Sequence, residues 1–282
     1  MMKKIVYKVI EAIKNPIKVW ELLVYRTLNL EGNLLGTQVY IRNHIKGRIN
    51  IIIKRHKSEV NRYGSDLYEK LKREGYELVE NESTSYPRSK YKNSVYSRAI
   101  LKVHERIPEL SGLLTDDVIS ALRAYYGSYV GVKHIYYWRN YHVPDNILNT
   151  EVFSDRWHPD REPIDITKLF VNISDVTTEH GPFHILPLQQ SRKLSRQNRR
   201  RLRPEEFGEF VDSDDIVKAV GSAGTAMLCN TELCWHRAGI PEEGNYRDII
   251  QFQFKPSSKP LGNDWLNKVE LKNIEKKYID NM

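Results

Sequence analysis

Lys168-Leu-Phe-Val-Asn-Ile-Ser-Asp-Val-Thr-Thr-Glu-His-Gly-Pro-Phe-His-Ile-Leu-Pro187 is the stretch on which the reading of the fold turns. Its first six residues lie within a run of β-branched and aromatic residues, Ile166 to Ile173, and a second such run follows at His184 to Leu186. His180-Gly181-Pro182 supplies the turn between them. The same character recurs at His134 to Tyr141, Thr225 to Leu228 and Asp248 to Phe254. Pro144-Asp145-Asn146, Gly221-Ser222-Ala223-Gly224 and Pro241 to Asn245 punctuate these runs. Short strands separated by turns, after a helical first half, predict a mainly β fold with an α-helical N-terminal part, a sandwich or jelly roll.

Upstream, Thr115 followed by Asp116 and Asp117 has the form of an N-cap with an acidic first turn, and Val118, Leu122 and Tyr125 continue a helix to Gly127. A second helix is expected from Ser65, through Leu67, Tyr68 and Leu71, to Gly75, with a strand from Tyr76 to Val79. Residues 1–64 are read as a basic, mainly helical extension, including the Ile51-Ile52-Ile53 run, which has no clean period. Residues 65–256 form the β domain, and residues 257–282 a helical tail from Trp265 to Tyr278.

With 282 residues, 40% hydrophobic and 28% charged, the chain can bury one good core and lies outside the composition of disordered proteins. Met1 to Tyr25 is apolar but interrupted by Lys3, Lys4, Lys8, Lys14 and Lys18, so no run approaches the ~20 residues a membrane span needs. An amphipathic helix remains; docking on the protein is preferred there to peripheral contact with an anionic membrane. Cys229 and Cys234 are the only cysteines and read as buried thiols of a reducing, cytoplasmic setting. The net charge of +8 calls for an acidic partner to be considered, whether nucleic acid, anionic lipid or an anionic small molecule, and charge alone does not choose among them; a small-molecule partner is expected and nucleic acid is not. Seven of the twelve residues from Arg192 to Arg203 are basic, expected as a loop at the barrel mouth. That cluster is read as solvated rather than as a steering patch, and it lacks the interleaved aromatics of single-strand binders.

The chemistry begins at Trp157-His158-Pro159-Asp160. In extended backbone, residues two apart share a side, so His158 and Asp160 offer an imidazole and a carboxylate to one point. Two histidines and a carboxylate on one face of an octahedron are the facial triad of non-haem Fe(II) oxygenases. His236, after the apolar strand from Thr225, is the candidate third ligand, because a jelly roll brings such distant strands face to face. Arg247, past a Pro-Glu-Glu-Gly-Asn turn, opens the next strand. Its planar fork suits a carboxylate bidentately, with a local salt bridge to Glu242, Glu243 or Asp248 as the plain alternative.

Taken together, Arg156 to Asp160, Lys168 to Pro187, Gly224-Thr-Ala-Met-Leu-Cys-Asn230 and His236-Arg-Ala-Gly239 through Arg247 resemble the phytanoyl-CoA dioxygenase family, over about Ser65 to Pro256. The resemblance implies a double-stranded β-helix, cupin-like, that binds Fe(II) and consumes 2-oxoglutarate and molecular oxygen. Succinate and carbon dioxide are released while a C–H bond of a substrate is hydroxylated. It implies His158, Asp160 and His236 as metal ligands and Arg247 as the co-substrate clamp. Asp160 retains the carboxylate that halogenating relatives lack, which favours hydroxylation, or another oxidation by the same iron–oxygen species, over halogenation. The chain departs from the family after Pro187, where Leu188-Gln189-Gln190-Ser191 replaces Gly-Ser-His, and at Ala238, where some relatives carry a hydroxyl that helps hold the co-substrate. Tyr137, Arg139, Thr225 or Lys168 would supply the missing donor. The substrate is expected to be a small molecule or carbohydrate. A catalytically silent β-helix that binds an acidic ligand through its basic surface is the alternative.

Overall fold

Alternation of apolar and polar side chains builds two facing antiparallel sheets. The computed structural model describes residues 51–55, 71, 73–74, 84–85, 96–100, 102–126, 128–148, 151–160, 166–195, 201–257 and 259–269. Its strands are β1 (Ile51–Arg55), β2 (Thr84–Ser85), β3 (Ser97–Ile100), β4 (Tyr129–Tyr141), β5 (Thr167–Asn172), β6 (Phe183–Ile185), β7 (Val217–Lys218), β8 (Thr225–Cys229), β9 (His236–Ala238) and β10 (Tyr246–Ser257). The larger sheet has the order β1-β8-β5-β10-β4-β3-β2, the smaller β7-β6-β9, and every pairing is antiparallel.

The long strand pair β4–β10 sets the frame. Tyr246 pairs with Tyr141 and Ser257 with Tyr129, with one irregularity between Gln253 and Phe254. Period two divides the side chains between faces. Ile135, Tyr137, Leu169, Val171, Ala226, Leu228, Ile250, Phe252 and Phe254 make the outer face and join Leu110, Leu113, Val118 and Leu122 in the main core. Val118 and Leu122 belong to helix α2 (Asp116–Tyr126), which follows the short α1 (Val103–Arg106). The Thr115 hydroxyl caps α2 by accepting from Val118 N at 3.4 Å. Phe170, Met227 and Ile249 point inward and pack with Phe183 and Ile185 of the smaller sheet. All six residues of β5 are buried, as a strand covered on both faces requires.

Gly181, at φ 61, makes the turn into β6 at a point where a Cβ would lie 2.4 Å from the Ile240 carbonyl carbon. Only glycine allows that approach, which seats β6 beside the chain leaving β9.

Three sequence expectations are corrected. Ile51–Arg55 is a strand paired with β8 rather than part of a helix, in keeping with the extended preference of three consecutive β-branched residues. Of the Arg192 to Arg203 cluster expected as loop, Arg192 to Ser195 instead end helix α3 (Leu188–Ser195), because Leu188, Ser191 and Leu194 fall on one buried face beneath the charges, while residues 196–200 lie outside the described residues. Helix α4 (Pro204–Gly208) follows, and Phe207 from it meets Leu194, Trp157 and Trp235 on the far side of the smaller sheet. In the tail, Trp265–Lys268 is a single 3-10 turn. Of the helix expected from Ser65, residues Leu71, Arg73 and Glu74 are helical and Leu71 is fully buried. The expected helix at Met1 to Tyr25, the strand at Tyr76 to Val79 and the tail beyond 269 lie outside the described residues. No helix among the described residues is long and apolar enough to cross a membrane.

Candidate metal centre

Backbone pairing brings the two histidines together before any side chain is considered. His158 N donates to His236 O and His236 N donates to His158 O, each at 3.0 Å. Trp157 and Leu202 exchange a second pair of bonds at 2.8 and 2.9 Å. Asp160 N donates to Thr231 O at 2.8 Å, which fixes the carboxylate-bearing end of the segment. The turn holding Thr231 is itself tied down: the Asn230 carbonyl oxygen Oδ1 accepts from Glu232 N and Leu233 N, and its Nδ2 donates to Tyr125 Oη at 2.6 Å.

Each imidazole is oriented through Nδ1, to Arg156 O at 2.7 Å for His158 and to Cys234 O at 3.0 Å for His236. Nδ1–H donation to a carbonyl selects the tautomer whose Nε2 lone pair is free for a metal. The His158 Nε2 lies 3.8 Å from Asp160 Oδ1, and the His236 Nε2 lies 3.8 Å from Asp160 Oδ2. One donor atom from each of the three residues fits within a 4.8 Å span, the only such group among the described residues. Burial, with the neighbouring His236, holds His158 down to about 2, and burial also holds His236 down to about 4. Burial opposes ionisation of Asp160, but Lys168 and the two imidazoles outweigh it and leave its pKa below the ordinary carboxylate range. Two neutral imidazoles and an ionised carboxylate at neutral pH are ready ligands.

Arg247 lies on the inner face of β10 with Ile249, Gln251 and Gln253. It is 2% exposed, and its Nε and Nη1 have no hydrogen-bond partner among the described residues. Burial and the nearby Arg237 charge hold its pKa down to about 9. A guanidinium in that state is costly unless an anion meets it. None of Glu242, Glu243 and Asp248 fills that role. The donor set therefore fits Fe(II), and the orphaned fork fits a carboxylate such as the distal group of 2-oxoglutarate.

Tyr137 and Arg139 need correction as co-substrate donors. Both project to the outer face of β4, where Tyr137 joins the main core, and Arg139 is bound to Asp248 by Nε–Oδ1 and Nη2–Oδ2 contacts of 2.7 and 2.6 Å. The sheet separates them from Arg247. Thr225 is on the inner face, 4% exposed, and its hydroxyl has no partner among the described residues. Lys168 is also inward, but its Nζ lies 2.5 Å from Asp160 Oδ2, against a metal ligand and not beside Arg247. His180 accepts from Thr177 N and His184 accepts from Arg237 Nε, so neither joins the triad.

The register also exposes inner-face residues not singled out from sequence. His134, Gln253, Lys168 and Cys229 form one row across the sheet, and Tyr136, Gln251, Phe170 and Met227 the next. Counting in twos from Arg247 would have found Gln251 and Gln253. Arg201 is near enough that its charge lowers both His158 and His236, and it is ion-paired with Glu151.

No protein-family model matches the chain. No curated protein matches it either. Solved structures do. One is EctD from S. alaskensis with 2-oxoglutarate and 5-hydroxyectoine, at 14% identity, covering 83% of this chain and 88% of that one, with a TM-score of 0.50. Another is the non-heme alpha ketoglutarate dependent epimerase SnoN from nogalamycin biosynthesis, at 16% identity over 84% and 89%, TM-score 0.48. HygX from Streptomyces hygroscopicus with nickel, 2-oxoglutarate and hygromycin B is similar at 14% identity over 76% and 86%, TM-score 0.47. The likeness to EctD shows a shared fold.

Proposed function

We propose that the chain is an Fe(II)- and 2-oxoglutarate-dependent oxygenase that hydroxylates a C–H bond of a small-molecule or carbohydrate substrate and releases succinate and carbon dioxide. The observation that carries this reading is the buried fork of Arg247, whose Nε and Nη1 have no partner among the described residues, on the same inner face that looks toward the triad. A metal site alone has no use for such a group. Phe170 stacks on Phe183 at 4.3 Å, and Phe183 lies 5.6 Å from the His236 ring, so Phe170 and its partner Gln251 mark the level of the triad. Arg247 is two inward positions further along β10, about 14 Å of strand. The Arg side chain and an extended five-carbon diacid would divide that distance between them.

In this reading His158, Asp160 and His236 hold the metal, and Arg247 takes the far carboxylate of the keto acid with Thr225 as the hydroxyl donor that Ala238 cannot provide. Bound iron with its keto acid and oxygen supplies the oxidising power. The protein contributes position. Phe170, Phe183 and Ile249 belong to one buried apolar cluster, and Ile249 is the inward residue of β10 between Gln251 and Arg247. Asp160 keeps a carboxylate in the ligand set, which supports hydroxylation over halogenation. No side chain need act as general acid or base.

The test is 2-oxoglutarate turnover. Purified protein given Fe(II), ascorbate and 2-oxoglutarate in air should form succinate above a metal-free control, and a library of small polyhydroxylated compounds should raise that rate for the substrate class. No succinate from iron-loaded protein would remove the reading.

A further inference from the structure

The two imidazoles of the triad each have a backbone carbonyl that fixes the ring, Arg156 O for His158 and Cys234 O for His236. Among the described residues, Asp160 has no comparable backbone anchor for its side chain. Its hydrogen bond comes from Lys168 on β5, whose Nζ donates to Oδ2 at 2.5 Å, with the side chains 11% and 21% exposed. Lys168 reaches it from an inner-face position between Gln253 and Cys229, so the backbone of the lysine is held within the sheet.

Resting on the reading of this site as an iron centre, we infer that Lys168 is a positioning residue for the metal. Both oxygens of Asp160 face the imidazoles at 3.8 Å, and Lys168 engages Oδ2, which biases the carboxylate toward binding the metal through Oδ1, the oxygen nearer His158. Three single-atom ligands leave three of six octahedral positions, enough for a chelating keto acid and oxygen. A carboxylate that took the metal with both oxygens would leave two, and the oxygen position would be lost. Lys168 thus acts through Asp160 and does not need to touch co-substrate. A lysine suits this role because its ammonium is a compact donor on a stem long enough to cross from β5 to the 158–160 segment. Outer partners of metal ligands are worth roughly 10- to 100-fold in metal affinity.

The experiment compares wild type, Lys168→Met and Lys168→Arg by anaerobic Fe(II) titration against a competing chelator, with the visible charge-transfer band recorded after 2-oxoglutarate is added. Lys168→Met should bind Fe(II) roughly 10- to 100-fold more weakly and shift the band, while Lys168→Arg, which keeps a cationic donor, should recover most of the affinity. Unchanged affinity and band in Lys168→Met would overturn the inference. Should Lys168→Met fail to fold by leaving Asp160 unpaired, Asp160→Ala and Asp160→Ala/Lys168→Met answer the same question with the carboxylate gone. Equal weak Fe(II) binding in those two supports action through Asp160, and a further loss in the double variant overturns it. Failure of the wild type to bind Fe(II) at all would instead count against the iron-centre reading.

Discussion

Arg247 and Asp248 are neighbours in β10 and face opposite sides of the sheet: Asp248 is gripped by Nε and Nη2 of Arg139, while Arg247 is equally buried with Nε and Nη1 unmatched among the described residues. One strand thus carries a completed ion pair outward and an incomplete one inward. The first is a structural element of the β4–β10 frame, and the second is where the proposed reading places the far carboxylate of the co-substrate.

Arg247→Met should separate these roles. Removing one partner of a buried, hydrogen-bonded charge pair costs about 2–5 kcal/mol, so the 2-oxoglutarate dissociation constant should rise at least roughly thirtyfold. The metal-free protein should melt at or above the wild-type temperature, since an uncompensated buried cation has been removed. Calorimetric 2-oxoglutarate titration and thermal melting check the two halves.

Arg139→Met should do the reverse. It leaves Asp248 charged and unpaired in the main core, a loss of about 3–5 kcal/mol in unfolding free energy. Protein that remains folded should keep its 2-oxoglutarate affinity within a few-fold. Urea unfolding with the same calorimetric titration is the measurement, and a selective loss of 2-oxoglutarate binding would restore Arg139 as a co-substrate ligand.

Acid should release metal and stability together. His236 and His158 titrate at about 4 and about 2 in the folded chain, below the ordinary value of 6.5. The unfolded chain therefore binds more protons as pH falls below about 6.5, and stability conferred by the neutral imidazoles declines from there down through the folded values. Asp160, also depressed, adds a loss at pH values below the ordinary carboxylate range. Metal-free melting temperature should fall from pH 7 to pH 4, and less so in a His158→Gln/His236→Gln variant.

The strands were legible because their signals are local. Thr167–Asn172 and Thr225–Cys229 are runs of apolar and β-branched residues that declare themselves within a few positions. The triad was legible for a related reason: His158 and Asp160 stand two apart in extended chain, and the strand before His236 is apolar. What escaped depends on pairing. Arg139 reads as a free inward arginine until β4 is set against β10 and Asp248 falls opposite it. Lys168 could be placed on a strand, but its contact with Asp160 requires the 158–160 segment to cross above β5. The α3 helix was masked because Arg192 and Lys193 stand between its buried Ser191 and Leu194, so charge density hid the spacing.

Anaerobic addition of Fe(II) and then 2-oxoglutarate to the metal-free protein tests the convergence of His158, Asp160, His236 and Arg247 most directly. The wild type should develop a visible metal-to-ligand charge-transfer band that Asp160→Ala lacks and that Arg247→Met reaches only at far higher 2-oxoglutarate. Wild-type protein that binds iron yet shows no such band at saturating 2-oxoglutarate would contradict it.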